Sequence, residues 1–395
     1  MGLRRRRTYR PKPTTPWMTM PVRWSDLPDD LLPLIYVKVD SLLHRVRFAA
    51  VCRSWRAAAI MSRQAAPPVL PWLIFSSDGG KSRRAYCPEE GGILRIRIRR
   101  QVLTGKRFVG AHDGGWVAAI GGESKLVIVN LFSGTEVSLP ARNAYPTYKI
   151  VFSESPASSG CILAAIMSQY GVAVCQIGCP NGTWTVKQLD GLLCLMDIVF
   201  YNGHLYGITS FEQLLKFKIG VNKDGVLAFI GEPHQLQIRK CSGPPAYRRY
   251  IIELQGKLVM VARSYSRRIN SEPIFKVFEL ADKATTEYTH QWEELMTLGD
   301  YALFLGAKSS KAVYVPASGH DGVQRSCIYA DDMKYLTQLD GHGDCVYPVQ
   351  DKSSHHARHM IKSAGSYVAA GADTSGMWVF PPNFWAANSR QARHL

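Results

Sequence analysis

The chain reads as a mainly-β protein in which a short module of three helices precedes a β-propeller of about six blades. Three observations predict this. Apolar residues at helical spacing are confined to Trp24–Ala59 of a 395-residue chain. Beyond Pro67-Pro68 the pattern changes to period-two alternation and keeps it for almost three hundred residues. Within that stretch a Gly- or Asn-containing turn, a short apolar strand, a polar gap and a second strand recur. The units start near residues 115, 162, 203, 256 and 301, about 40 to 53 residues apart, which is the length of a four-stranded blade.

Residues 1–22 form a basic arm. Arg4, Arg5, Arg6 and Arg7 stand together, with Arg10, Lys12 and prolines at 11, 13 and 16 behind them. Such a run repels itself and lacks apolar periodicity, so it predicts a disordered segment. A localisation signal for the nucleus is one reading of it and a solvated tail the other; nucleic acid is not an expected partner. Residues 1–63 hold 13 Lys or Arg against 4 Asp or Glu, so this first sixth carries more than half of the net +17. Arg6 stands where a myristoylation signal needs Ser or Thr.

The helical module spans 23–63. Pro28 suits a first helical position, and Asp29 and Asp30 place negative charge at the helix's positive end, which predicts a start there. Leu31, Leu34 and Ile35 follow at i, i+3 and i+4, and Leu42, Leu43 and Val46 repeat the spacing in a second helix. A third gathers Val51, Cys52 and Trp55 on one face beside Phe48. Pro33 would lie inside the first helix, remove a hydrogen bond and kink the axis. About forty residues bury too little apolar surface to fold well alone, so the module needs a partner.

These residues resemble an F-box: Leu27-Pro28, the Asp-Leu-Leu that follows, and Val51-Cys52-Arg53-Ser54-Trp55-Arg56 combine both ends of that motif at its proper separation. The resemblance implies docking on a Skp-type adaptor, and through it on a cullin scaffold and a RING subunit of a ubiquitin ligase. By motif position Leu27, Pro28, Leu31, Ile35, Val51, Cys52 and Trp55 would carry the contact, with most weight on the last three.

Residues 64–71 read as a linker, because Pro67-Pro68 stops a helix and extends the residue before each proline. The β-domain then runs over 72–385, followed by a tail at 386–395. Its strand pairs include Trp116–Ile120 with Leu126–Leu131, Cys161–Met167 with Val172–Ile177, and Asn202–Ile208 with Leu214–Ile219. Gln255–Val261 with Phe275–Leu280 and Gly299–Leu305 with Cys327–Tyr329 continue the series, and Trp184 and Trp292 follow two of the pairs. Met377–Phe380 is an apolar strand stopped by Pro381-Pro382; completing a blade begun near Ile93 to Ile98, it would remove a sheet edge. Residues 72–385 resemble the plant F-box family whose C-terminal domain is known as domain of unknown function 295. Gly110–Trp116, Asn130–Gly134, Leu298–Gly306 and Cys327–Tyr329 carry that likeness. It implies a Kelch-like propeller and carries over no functional residue.

Partial motifs point elsewhere without reaching a site. Gly80-Lys81-Ser82 lacks the first glycine and the helix of a phosphate loop and reads as a turn. His342, Cys345, His355, His356 and His359, with Asp344 and Asp351, are metal-ligand types, but no Cys-x-x-Cys pair anchors them and the segment reads as a polar loop. Cys175 and Cys179 read as core thiols among nine scattered cysteines expected to be free. No Gly-x-Ser-x-Gly elbow is present. Of the aromatics that could line a propeller face, Trp116, Tyr206, Tyr301 and Tyr329 read mainly as core. Tyr247-Arg248-Arg249-Tyr250, and Arg263 to Arg268 around Tyr265, read as loop-like and solvated. No apolar run reaches the ~18 residues of a membrane span.

The function expected is that of a non-catalytic substrate receptor in a Skp–cullin–F-box ubiquitin ligase, in the nucleus, the cytoplasm or both. The β-domain would bind a target protein, with no cofactor, metal or membrane. The alternatives are an enzyme or small-molecule-sensing propeller, and a basic nuclear interaction protein.

Overall fold

The computed structural model describes residues 24–382 except 40, 78–81, 89–91, 97–102, 122–124, 138, 140–146, 169–170, 179–183, 191–192, 240–245, 266–272, 284–286, 318–322, 332–345 and 349–375. A 3-10 turn at Trp24–Asp26 leads to α1 (Leu31–Tyr36), α2 (Leu42–Ala49) and α3 (Arg53–Ser62). The first helix begins at Leu31 rather than at Pro28, whose carbonyl instead accepts the Leu31 N–H at 3.1 Å in a turn through Asp29 and Asp30. That start removes the difficulty at Pro33. The proline is the third helical residue, where a backbone N–H would have no intrahelical acceptor, so no bond is lost and no kink results. Ser41 caps α2 by accepting the His44 N–H at 3.4 Å.

The third helix also begins later than expected. Ala50 ends α2, and Cys52 is extended, with φ −158°, before Arg53 opens α3. Val51 and Cys52 therefore precede the helix and do not share a helical face with Trp55.

The rest of the described chain forms six blades and one separate two-stranded hairpin, Ile219–Val221 with Leu227–Phe229, between the third and fourth strands of blade 4. Blade 1 holds Met377–Val379, Trp72–Ser77, Ser82–Cys87 and Gly92–Ile96, in that spatial order. Blades 2, 3 and 4 are four-stranded sheets whose innermost strands are Arg107–His112, Lys149–Phe152 and Leu195–Tyr201. Blade 5 has Arg248–Leu254 innermost and a fifth strand, Ile238–Arg239, paired in parallel at its outer edge. Blade 6 departs most from the rule. Lys311–Tyr314 lies innermost, and Tyr301–Leu305 pairs with Cys327–Ala330 in parallel.

The strand pairs read from the sequence are the second and third strands of blades 2 to 5, and in blade 6 the parallel pair. The turns that lead into two of these pairs from the inner strands are of the hairpin kind: Asn202-Gly203 and Gln255-Gly256 both place two successive residues at positive φ, 45° and 72° in one and 53° and 73° in the other. Gly110 serves a different purpose. A Cβ there would lie 2.2 Å from the Ile150 carbonyl oxygen, so only glycine lets the inner strands of blades 2 and 3 approach this closely.

Ring closure uses both ends of the domain. Met377–Val379 pairs antiparallel with Trp72–Ile74, and not with the segment near Ile93, which forms the far edge of the same blade. The closing strand takes the innermost place, where Trp378 is fully buried. Its indole Nε1 donates to the Leu305 carbonyl at 3.1 Å, and its own carbonyl accepts from Ser309 Oγ at 2.6 Å, tying blade 1 to blade 6.

Each seam between neighbouring blades carries its own apolar cluster. The cluster between blades 1 and 2 includes Leu42, Leu43 and Val46 of α2, beside Trp72, Phe132 and Met377. Part of the partner that the helical module needs is thus the propeller itself. Residues 64–71 have no regular structure, yet Val69 and Leu70 are buried within the seams of blade 1.

Candidate adaptor-docking face and the two ends of the propeller

Once α2 is packed on the propeller, α1 and α3 enclose the module's own core. Leu32 and Tyr36, one turn apart on α1, are fully buried against Phe48, Trp55, Ala58 and Ala59. The stripe read from the sequence faces the other way: Leu31, Leu34 and Ile35 are 42%, 62% and 37% exposed, and Val51 is 46% exposed. Trp24 and Met61 are also well exposed. Pro28 is exposed, while Leu27 and Cys52 are partly buried against the module core.

Trp55 is placed differently from the surface role expected of it. It is buried, its ring lies 4.4 Å from that of Phe48, and its Nε1 donates to the Trp24 carbonyl at 3.2 Å. Its described contacts are internal: it holds the start of the module against α2 and α3.

The inner strands define two ends of the propeller. At the end where they begin, polar side chains link one blade to the next. Arg107 Nη2 donates to the Thr147 carbonyl at 2.8 Å, joining blade 2 to blade 3. Lys149 of blade 3 pairs with Asp197 of blade 4, both buried; Asp197 also accepts the Ile198 N–H at 2.8 Å and the Ile251 N–H at 3.1 Å. Arg249 of blade 5 donates to the Ser210 carbonyl at 2.7 Å and to Glu212 at 2.9 Å in blade 4. A carboxylate held this way keeps its charge satisfied in a place where water is scarce.

Asp331 lies at the same end between blades 5 and 6. It accepts the Ala307 N–H at 3.0 Å, with the charges of Arg248, Lys308 and Arg263 nearby. Burial outweighs these and pushes its carboxyl up to about 6. Burial likewise raises the Tyr250 phenol, with the nearby Asp331 charge adding to it. Within the arginine-rich segments read as solvated loops, Arg248–Tyr250 and Arg263–Tyr265 are in fact strand. Arg248 faces Arg263 across a ladder, Arg249 and Arg263 are buried, and Arg263 lies 5.3 Å over the rings of both Tyr247 and Phe275. Trp116, Tyr206, Tyr250 and Tyr329 are core, whereas Tyr247 is exposed. The side chain of Tyr265 and residues 266–268 lie outside the described structure.

Sequence reasoning missed the buried pair, although a signal existed. Lys149-Ile-Val-Phe152 and Asp197-Ile-Val-Phe200 are the same four-residue pattern with opposite charges at its head. Lys149 opens the inner strand of blade 3, Asp197 is the third residue of the inner strand of blade 4, and the two heads meet.

At the other end, where the inner strands of blades 1 and 2 finish at Val379 and His112, Lys311 bridges to Asp113 at 2.5 Å and lies 5.4 Å over the Phe380 ring. These side chains and Tyr314 border a cavity of about 460 Å³ whose further wall is Pro68, Val69 and Pro71. Beside it His112 is pushed below its ordinary range by burial, against the pull of Asp113. The helical module lies at this end.

Among the described residues no three His, Cys, Asp or Glu side chains gather as a metal site. The set from His342 to His359, Cys179, Gly80-Lys81 and Arg4–Arg7 lie outside the described residues, and Cys175 is buried in a blade 3 strand. No helix among the described residues is long and apolar enough to cross a membrane.

A three-helix module at the start of the chain, with an F-box pattern at both ends, and a six-bladed ring behind it define a plant F-box protein with a propeller domain. Residues 84–355 match the family KIB1-4 beta-propeller, and the chain belongs to that family. It is 24% identical over 368 residues to the Arabidopsis thaliana F-box/kelch-repeat protein At1g57790, covering 91% of this chain and 95% of that one. The Arabidopsis thaliana F-box protein At3g56470 is 26% identical over 323 residues, 77% of this chain and 81% of its own. The putative F-box protein At4g22660 of the same plant is 31% identical over 366 residues, 81% of this chain and 89% of its own.

Proposed function

We propose that this protein is the substrate-receptor subunit of a Skp–cullin–F-box ubiquitin ligase, with α1 and the start of α3 docking the adaptor and the propeller holding a target. The observation that carries the reading is the exposed stripe of Leu31, Leu34 and Ile35 on a helix whose opposite side, Leu32 and Tyr36, is already fully packed. Three large aliphatic side chains on one short helix gain little from water and gain most from a complementary apolar surface. Leu27, Pro28 and Val51 extend that surface, while Cys52 and Trp55 support it from beneath. The receptor performs no bond chemistry. It holds a target near the charged ubiquitin carrier, which makes transfer quasi-intramolecular.

The test is capture of the Skp-type adaptor by the full chain, by a Leu31→Asp, Leu34→Asp double variant and by a Leu27→Ala, Pro28→Ala variant. Wild type should capture the adaptor and the first variant should lose it with an unchanged melting transition. Failure of the wild type to bind ends this reading.

A further inference from the structure

Among the described residues, the end of the propeller where the inner strands begin, remote from the helical module, exposes rings and cations while withdrawing most of its acids. Tyr148 and Phe211 are each 57% exposed and Tyr247 is 39% exposed. Tyr148 and Tyr247 immediately precede the inner strands of blades 3 and 5. Phe211 sits in the blade 4 turn that Arg249 grips through the Ser210 carbonyl and Glu212. Three consecutive blades thus each offer an aromatic ring to solvent at the mouth of the ring.

Cations stand beside them. Arg107 and Lys125 are exposed, and Lys106 and Arg248 are partly exposed. All four belong to this end, since Arg107 pairs with Ile120 and Ile120 with Leu126 across the blade 2 ladder, and Arg248 opens the inner strand of blade 5. The acids are differently disposed. Asp197 and Asp331 are buried, and Glu212 is engaged by Arg249; Asp190, before the inner strand of blade 4, remains exposed. Among the described residues, accessible charge at this end of blades 2 and 5 is therefore positive, with apolar rings between.

From this arrangement we infer that the mouth formed by Tyr148, Phe211, Tyr247, Arg107, Lys125 and Arg248 docks an acidic, extended peptide segment whose apolar side chains rest on the rings. The inference rests on the receptor reading, for which this segment would belong to the target. Arg107 and Arg248 each give one Nη2 to a backbone carbonyl, of Thr147 and Ala307, and their outward charge suits carboxylates. Rigid aromatic rings supply contact area at low cost in side-chain entropy, and the buried pairs beneath keep the rim fixed before the ligand arrives. Complementary charge at an exposed rim governs association rate and makes binding salt-dependent.

The experiment uses the full chain, assayed by fluorescence anisotropy with a short labelled peptide alternating Glu and Leu and with its counterpart carrying Lys for Glu. The Glu peptide should bind and the Lys peptide should not, and binding should weaken about tenfold between low and physiological salt. Lys125→Glu and Phe211→Ala should each weaken it by about fivefold or more while the melting transition and adaptor capture stay as in wild type. Equal binding of both peptides, or unchanged binding in both folded variants, overturns the inference. Adaptor capture on the same preparations separates the two readings: capture without peptide binding removes the acidic-segment inference alone, and peptide binding without capture removes the receptor reading while the mouth's specificity stands.

Discussion

The Lys149–Asp197 pair offers a quantitative test of how the blades are held together. Lys149 is 5% exposed and Asp197 is not exposed at all, and Asp197 accepts two backbone N–H groups besides the ammonium. Replacing Lys149 by Met removes the charge at nearly constant volume and leaves a buried carboxylate with its two amide donors. Replacing Asp197 by Asn leaves a buried ammonium without its counter-charge. Either change should cost roughly 3 to 5 kcal/mol, the usual penalty for breaking a buried pair from one side. The double variant removes both charges, so its cost should be close to that of one single variant, which gives a coupling energy of the same size, roughly 3 to 5 kcal/mol. Urea unfolding of the four proteins, followed by tryptophan fluorescence, measures each value. Additivity within about 0.5 kcal/mol would refute the reasoning, because independent sites add to that tolerance.

Two further outcomes are expected. Trp378→Ala should destabilise the propeller by roughly 3 to 5 kcal/mol, as a buried aromatic truncation, and removal of everything from Met377 onward should cost more; a melting transition unchanged by either would show that closure does not depend on this strand. Asp331, with its carboxyl pushed up to about 6, binds its proton more tightly folded than unfolded. Its contribution is therefore full below about pH 4 and lost as pH rises through 6, on the order of 3 kcal/mol in all. Asp331→Asn should flatten that part of the stability profile, and identical pH profiles for variant and wild type would exclude it.

What could be read from the sequence follows from which strands show clean alternation. The second and third strands of blades 2 to 5 are flanked on both sides by other strands, so they are rich in small and β-branched residues and are bounded by tight turns. Gly115 to Leu131 and Asn202 to Phe217 display this openly. The inner strands do not, because their heads carry Lys149, Asp197 or Arg249, and charged residues at apolar positions read as loops until their partners are known. Lys311–Tyr314 was hidden for another reason: it enters blade 6 out of turn, and no local pattern encodes a parallel pairing around it.

The helical module shows the converse error. Leu31, Leu34 and Ile35 have the spacing of a buried stripe, and spacing alone does not distinguish a face turned to the core from one turned to a partner. Tyr36, one turn from Leu32, marked the true inward face. Trp55 was visible as an apolar anchor, but its depth depends on the bend at Val51, which the expected continuous helix left out.

The pairing of Trp72–Ile74 with Met377–Val379 has a consequence for biosynthesis. A ribosome releases the first strand of blade 1 long before it makes that strand's inner neighbour, so the ring cannot shut until residues 377–379 have been made. The seam on which Leu42, Leu43 and Val46 rest contains Met377 and Val379 as well, so the floor beneath the helices is finished at the same late moment. A chain terminated before Met377 would therefore carry the helical module on an unfinished base. Assembly of the two halves is thus timed by the closing strand, and only a polypeptide that includes it presents both in fixed orientation.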